Sequence, residues 1–130
     1  MDFNQIEDRR KYTPQALIIF ARIMNAWHVS PKDRQKLLGN VPNFSFENFN
    51  EENTKLIEPL SENQIQIILE LEAVAKYLQI LLPRPNADDW VNKPNRASLF
   101  LGKTALEYMC INGKSGIQKV QQYLAAQVYG

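Results

Sequence analysis

An all-α fold is the prediction, and three features of the sequence make it. Helix start signals recur along the chain, apolar residues between them repeat every three to four positions, and alternating strand patterns of useful length are absent. Together they give five main helices, arranged as a helical N-terminal half, a long central helix and a small helical C-terminal lobe.

The first helix is expected to start at Thr13-Pro14, a capping hydroxyl followed by the residue best tolerated in a first turn. Leu17, Phe20, Ala21, Met24 and Trp27 then recur at helical spacing as far as His28. Ser30-Pro31 repeats the signal. Asp33 suits the positive end of the helix dipole, and Gly39 closes a short helix behind Leu37-Leu38. Residues 40–60 are irregular, with Pro42, Asn43, Asn48, Asn50 and Asn53 set among Phe44, Phe46 and Phe49; a short helix is expected near 45–52.

Ser61 with Gln64 forms a capping box that opens the strongest helix of the chain. Ile65, Ile68, Leu69, Leu71, Val74, Ala75, Leu78, Leu81 and Leu82 cover more than one of its faces, the mark of a helix buried on several sides or at a subunit interface. Pro83 and Pro85 end it. Asp88, Asp89 and Trp90 give one short turn that stops before Pro94, because the residue preceding proline avoids the α region. Thr104 with Glu107 is a second box, leading Leu106, Met109 and Cys110 to Gly113. Ser115 with Gln118 is a third, leading Ile117, Val120, Leu124 and Val128 along one face.

Composition bounds the function. A chain of 130 residues with 45% hydrophobic and 10% aromatic residues is one domain, or two small lobes sharing a core, and is not disordered. No apolar run approaches the roughly 20 residues that span a bilayer. The stretch "MDFNQIEDRRKY" has mixed charge and no apolar centre, so no signal peptide is expected. A single Cys110 favours a reducing compartment, and a cytoplasmic location is expected. The net charge of +1 hides an uneven distribution: residues 1–41 carry +3, residues 42–89 carry −6 and residues 90–130 carry +4. Basic ends around an acidic middle suit an anionic protein surface better than a nucleic-acid backbone.

The catalytic inventory is thin. His28, the sole histidine, falls at a helix C-terminus, where it suits the dipole. Cys110 lies on an apolar face and reads as an inert core thiol. The adjacent carboxylates of Asp88 and Asp89 serve a helix start, and no further ligands accompany them. "LGKT" lacks the first glycine and the preceding strand of a phosphate loop. No enzyme activity, metal or cofactor is expected. A helix-turn-helix is sketched by Pro31–Leu38, Gly39 and a recognition segment at Phe44–Asn50, with Asn43, Ser45 and Asn48 as its candidate DNA contacts. Its electrostatics are unfavourable, because Glu47, Glu51 and Glu52 would face phosphate with no basic residue before Lys55.

The tail "WVNKPNRASLFLGKTALEYMCINGKSGIQKVQQYLAAQ" resembles the toxin-binding domain of Xre/MbcA/ParS-type antitoxins. Trp90, Pro94, Asn95, Leu99, Phe100, Gly102, Ala105, Leu106, Met109, Gly113, Val120, Tyr123 and Leu124 stand at that family's spacing. Upstream, "ALIIFARIMNAWHVSPKDRQKLLG" is similar to the family's Xre-like helical half, and "LQILLP" (Leu78–Pro83) to the end of its central helix. The likeness covers residues 16 to 127. It divides the chain into an Xre-like, helix-turn-helix-like region at 1–83 and a toxin-binding domain at 84–130.

The resemblance implies an antitoxin of a type II toxin-antitoxin system. Such a protein binds a partner toxin, often a RES-domain enzyme that consumes NAD, and occludes its active site with the C-terminal region. It also implies a homodimer and, as the alternative function, a DNA-binding regulator of its own operon. With the +4 charge of residues 90–130 available for an anionic rim, Arg96, Lys103, Lys114 and Lys119 are the expected toxin contacts, with Tyr123 and Tyr129 as aromatic anchors and Gly130 beside them. Trp90, Pro94, Asn95, Leu99, Phe100, Gly102 and Leu106 are the expected structural core of the lobe, holding the last helix at a set angle. Two departures from the family stand out. "FSFENF" has Glu47 and Asn48 where an aromatic and an arginine are usual, which counts against operator binding, and the last helix carries Gln121, Gln122 and Val128 in place of arginines.

Overall fold

The computed structural model describes residues 1–47, 58–84 and 86–130. It is all-α. In order, the chain forms α1 (Ile6–Ala26), α2 (Pro31–Leu38), α3 (Glu62–Leu81), α4 (Asn86–Asp89) running into a 3-10 turn at Trp90–Asn92, and α5 (Ala105–Tyr129). There is no strand among the described residues; Pro94 and Thr104 make an isolated antiparallel bridge. Among the described residues, no helix is long and apolar enough to cross a membrane.

The long helix α3 is the hub. It packs most extensively on α5 and then on α1, and α2 rests against both α5 and α3. Ile65, Ile67, Ile68, Leu71, Val74 and Leu78 are its buried residues. They join Leu17, Phe20 and Met24 of α1 and Trp27 at its C-cap with Met109, Ile117, Val120 and Leu124 of α5 in one continuous core. The capping box forms as expected: Ser61 accepts from the Gln64 backbone while Gln64 Oε1 accepts from the Ser61 N–H at 3.1 Å. The Gln64 amide also donates to the carbonyls of Leu38 at 3.2 Å and Asn40 at 3.1 Å, so one cap residue also ties down the end of α2. Ser30 and Gly39 bound α2 as expected.

Thr13-Pro14 does not start the first helix. The helix begins at Ile6, seven positions before Thr13, and Pro14 lies inside it. Arg9 holds the leading segment by donating to the carbonyls of Phe3 at 2.9 Å and Asn4 at 3.2 Å, and the Phe3 ring sits 5.0 Å from that of Tyr12. Those contacts extend the helix through a proline that cannot donate to the carbonyl four residues back. Thr13 is buried, and its hydroxyl donates to the Arg9 carbonyl at 2.7 Å.

The end of α1 is a Schellman arrangement. His28 N–H donates to Asn25 O at 3.2 Å and Val29 N–H to Met24 O at 3.0 Å, with His28 itself in the left-handed region at φ 56°. The helix therefore stops at Ala26, and His28 is exposed as its terminating residue. The expected break at Gly113 appears as a kink within α5, where Gly113 adopts φ 64° and ψ −147°. A second helical stretch does begin after that break, as expected, but Ser115 makes no side-chain capping hydrogen bond among the described residues.

Candidate functional site

Residues 93–104 form a loop braced by hydrogen bonds among its own residues. Asn95 is its clasp. The Asn95 N–H donates to Lys103 O at 3.1 Å, Gly102 N–H donates back to Asn95 O at 3.1 Å, and Asn95 Oδ1 accepts from Ala97 N–H at 2.9 Å. Two turns follow within it, Phe100 N–H to Ala97 O and Lys103 N–H to Phe100 O, each at 3.0 Å. Thr104 then caps α5 with Glu107 in the second predicted box.

An aromatic brace fixes this loop to the last helix. Phe100, 1% exposed, meets Trp90, Tyr108 and Tyr123 edge-on at centroid distances of 5.7, 5.6 and 5.6 Å. Trp90 and Tyr123 stack at 6.5 Å. Edge-to-face geometry is the favourable arrangement of ring quadrupoles, so the cluster locks angles as well as burying area. Of the expected core of the lobe, Phe100 and Leu106 are buried, and Trp90, Leu99 and Asn95 are half-buried. Pro94 and Gly102 are exposed and shape the loop instead. The brace is tied to the rest of the protein by Asn92, whose side-chain amide donates to the Trp27 carbonyl at 2.7 Å.

The expected toxin contacts divide. Arg96, Lys103 and Lys119 are exposed and form no ion pair among the described residues. Lys114 donates to Gln66 Oε1 and so bridges α5 to α3. Tyr123 is half-buried between Trp90 and Phe100, a brace residue by position. Tyr129 is exposed, with its ring edge-on to Tyr77 at 6.0 Å, and a hydrogen bond with Tyr77 raises its phenol above the ordinary value. Gly130 ends the chain beside it, its N–H donating to Ala126 O at 2.8 Å.

Of the proposed DNA contacts, Asn43 is exposed at φ 61° and Ser45 Oγ accepts from the Glu47 N–H at 3.2 Å. Asn48 lies outside the described residues, as does most of the helix expected near 45–52; residues 44–47 are not helical. Cys110 borders a groove with Asp33, Lys36, Leu106, Glu107 and Ile111. Burial, with Asp33 adding to it, pushes its thiol up to about 11, so it carries little thiolate at neutral pH.

Leu101 was not among the expected contacts. It is 84% exposed and has φ 52°, immediately before Gly102 at φ 84°. The sequence signal was the Leu-Gly pair itself, a bulky residue directly before the glycine of a tight turn.

No family model and no solved structure matches the chain. It is 33% identical over 115 residues to uncharacterized protein y4oB of Sinorhizobium fredii (strain NBRC 101917 / NGR234), a match covering 88% of this chain and 84% of that protein. The chain belongs to the y4oB family. That kinship spans both halves of the fold and carries no activity with it.

Proposed function

We propose that this protein is an antitoxin, which binds a partner toxin through its C-terminal lobe and occludes that toxin's active site. The observation that carries the reading is the brace of Trp90, Phe100, Tyr108 and Tyr123, which holds the 93–104 loop on α5. A loop already ordered before binding pays less entropy on association. Arg96 and Lys103 of the loop and Lys119 of α5 are exposed and have no ion-pair partner among the described residues, as charges reserved for another surface would. The likeness of residues 90–127 to antitoxin toxin-binding domains gives the partner its class, with a NAD-consuming RES-domain toxin first in line. At the far end of α5, Tyr129 is 78% exposed and offers a further aromatic contact.

The test is co-expression with the product of the adjacent open reading frame. A toxic neighbour whose growth arrest is relieved by this chain, and which copurifies with it in a fixed ratio, is the expected result. A neighbour that stays toxic and passes through the column alone overturns the reading.

A further inference from the structure

Leu101 is placed at a double disadvantage for folding. The hydrogen bond from Lys103 N–H to Phe100 O closes a turn whose two central residues, Leu101 and Gly102, both have positive φ. Turns of that kind take Asn-Gly or Gly-Gly, because a side chain at the first central position crowds the backbone. Leucine accepts that strain here and gains no burial in return, since it is 84% exposed. The strained backbone, rather than the exposure alone, points to a function for this side chain.

The setting defines the partner. The Asn95 clasp and the Pro94–Thr104 bridge bring residues 93–96 alongside 102–104, so Lys93, Arg96 and Lys103 lie on the two stretches of chain that carry the turn, all exposed and none in an ion pair among the described residues. One apolar knob flanked by unpaired cations matches a protein pocket with an apolar floor and a carboxylate rim. A nucleic-acid backbone would use the cations and leave the leucine in water, and a bilayer needs more apolar area than one side chain provides.

Resting on the antitoxin reading, we propose that Leu101 is the anchor by which the 93–104 loop seats in an acidic-rimmed apolar pocket of the partner toxin, with the left-handed turn aiming it. The position thus trades fold stability for binding.

The experiment compares the wild-type complex with L101G, L101N, L101A and L101M by calorimetric affinity, alongside thermal melts of the free chains. L101G and L101N relieve the strain, so their free chains should melt roughly 2–5 °C higher while Kd for the toxin rises roughly ten- to hundredfold. L101A keeps a β-carbon and should lose affinity without the gain in melting temperature; L101M should keep most of the affinity. Wild-type affinity in L101G, with the complex otherwise intact, overturns the anchor and leaves the antitoxin reading standing. Absence of any wild-type complex overturns both. Self-association of the free chain that L101A abolishes, with toxin affinity unchanged, overturns the anchor in favour of a contact between copies, and vesicle binding by the same criterion assigns it to a membrane.

Discussion

The Leu60 backbone N–H donates to the Thr13 hydroxyl at 2.9 Å, joining the middle of α1 to the chain just before α3, 47 residues away. Both partners are buried at 1% exposure, so neither has water to fall back on. Thr13→Val keeps the shape and strands the Leu60 donor, an expected loss of about 1–3 kcal/mol in denaturant unfolding. Thr13→Ser retains the hydroxyl and should cost less than Thr13→Val. Equal losses for the two would assign the effect to packing of the methyl group.

His28 sits at φ 56° with its side chain in water. Glycine takes that conformation without a β-carbon penalty, and the cap's hydrogen bonds are all backbone. His28→Gly should therefore stabilise the protein by about 0.5–1 kcal/mol. A destabilised variant would mean that the imidazole has a structural role the cap geometry does not give it.

Gly113 and Gly116 form a pair. Gly113 makes the kink of α5 in a conformation almost confined to glycine, and the kink leaves a β-carbon on residue 116 only 2.6 Å from Asn112 Cβ. Gly113→Ala should cost about 1–3 kcal/mol. Gly116→Ala, which in an ordinary helix interior would gain up to about 1 kcal/mol, should instead lose stability. Urea titration of both variants, with circular dichroism at 222 nm as the readout, decides it.

Local signals in the sequence were legible where their partners were local. The boxes at Ser61–Gln64 and Thr104–Glu107 each close within three residues, and both form. Thr13-Pro14 carried an equally good start signal, but the hydroxyl's partners are Arg9 and the remote Leu60, and nothing near position 13 announces either. At Gly113 the expected break forms and a second helical stretch follows it, though the Ser115 box itself does not close. Tyr123 read as an exposed anchor because its helix face was legible and the arrival of Trp90 and Phe100 on that face was not. For Leu101 the residue type points to the core, and the Leu-Gly pair is the one local sign of the turn that leaves it exposed.

The Cys110 thiol gives a pH prediction. Burial raises it from the ordinary range near 9 to about 11, so the folded state disfavours the thiolate. Its contribution to stability is fully present below pH 9 and is lost as the pH rises from 9 towards 11, where the unfolded chain ionises and the folded one does not. Native protein at pH 8 should react with a maleimide or disulfide reagent at least roughly tenfold more slowly than urea-unfolded protein, since the thiolate is the nucleophile. Cys110→Ser should flatten the decline of stability above pH 9.

The central helix α3 is closed on one side by α1, which precedes it, and on another by α5, which is the last element of the chain. During synthesis its α5-facing flank is therefore made long before its cover. A nascent chain that has emerged as far as Pro83 presents oily surface to solvent or to a chaperone, and ribosome stalling in that interval invites aggregation. Closure of that flank waits for α5, which the 93–104 loop immediately precedes.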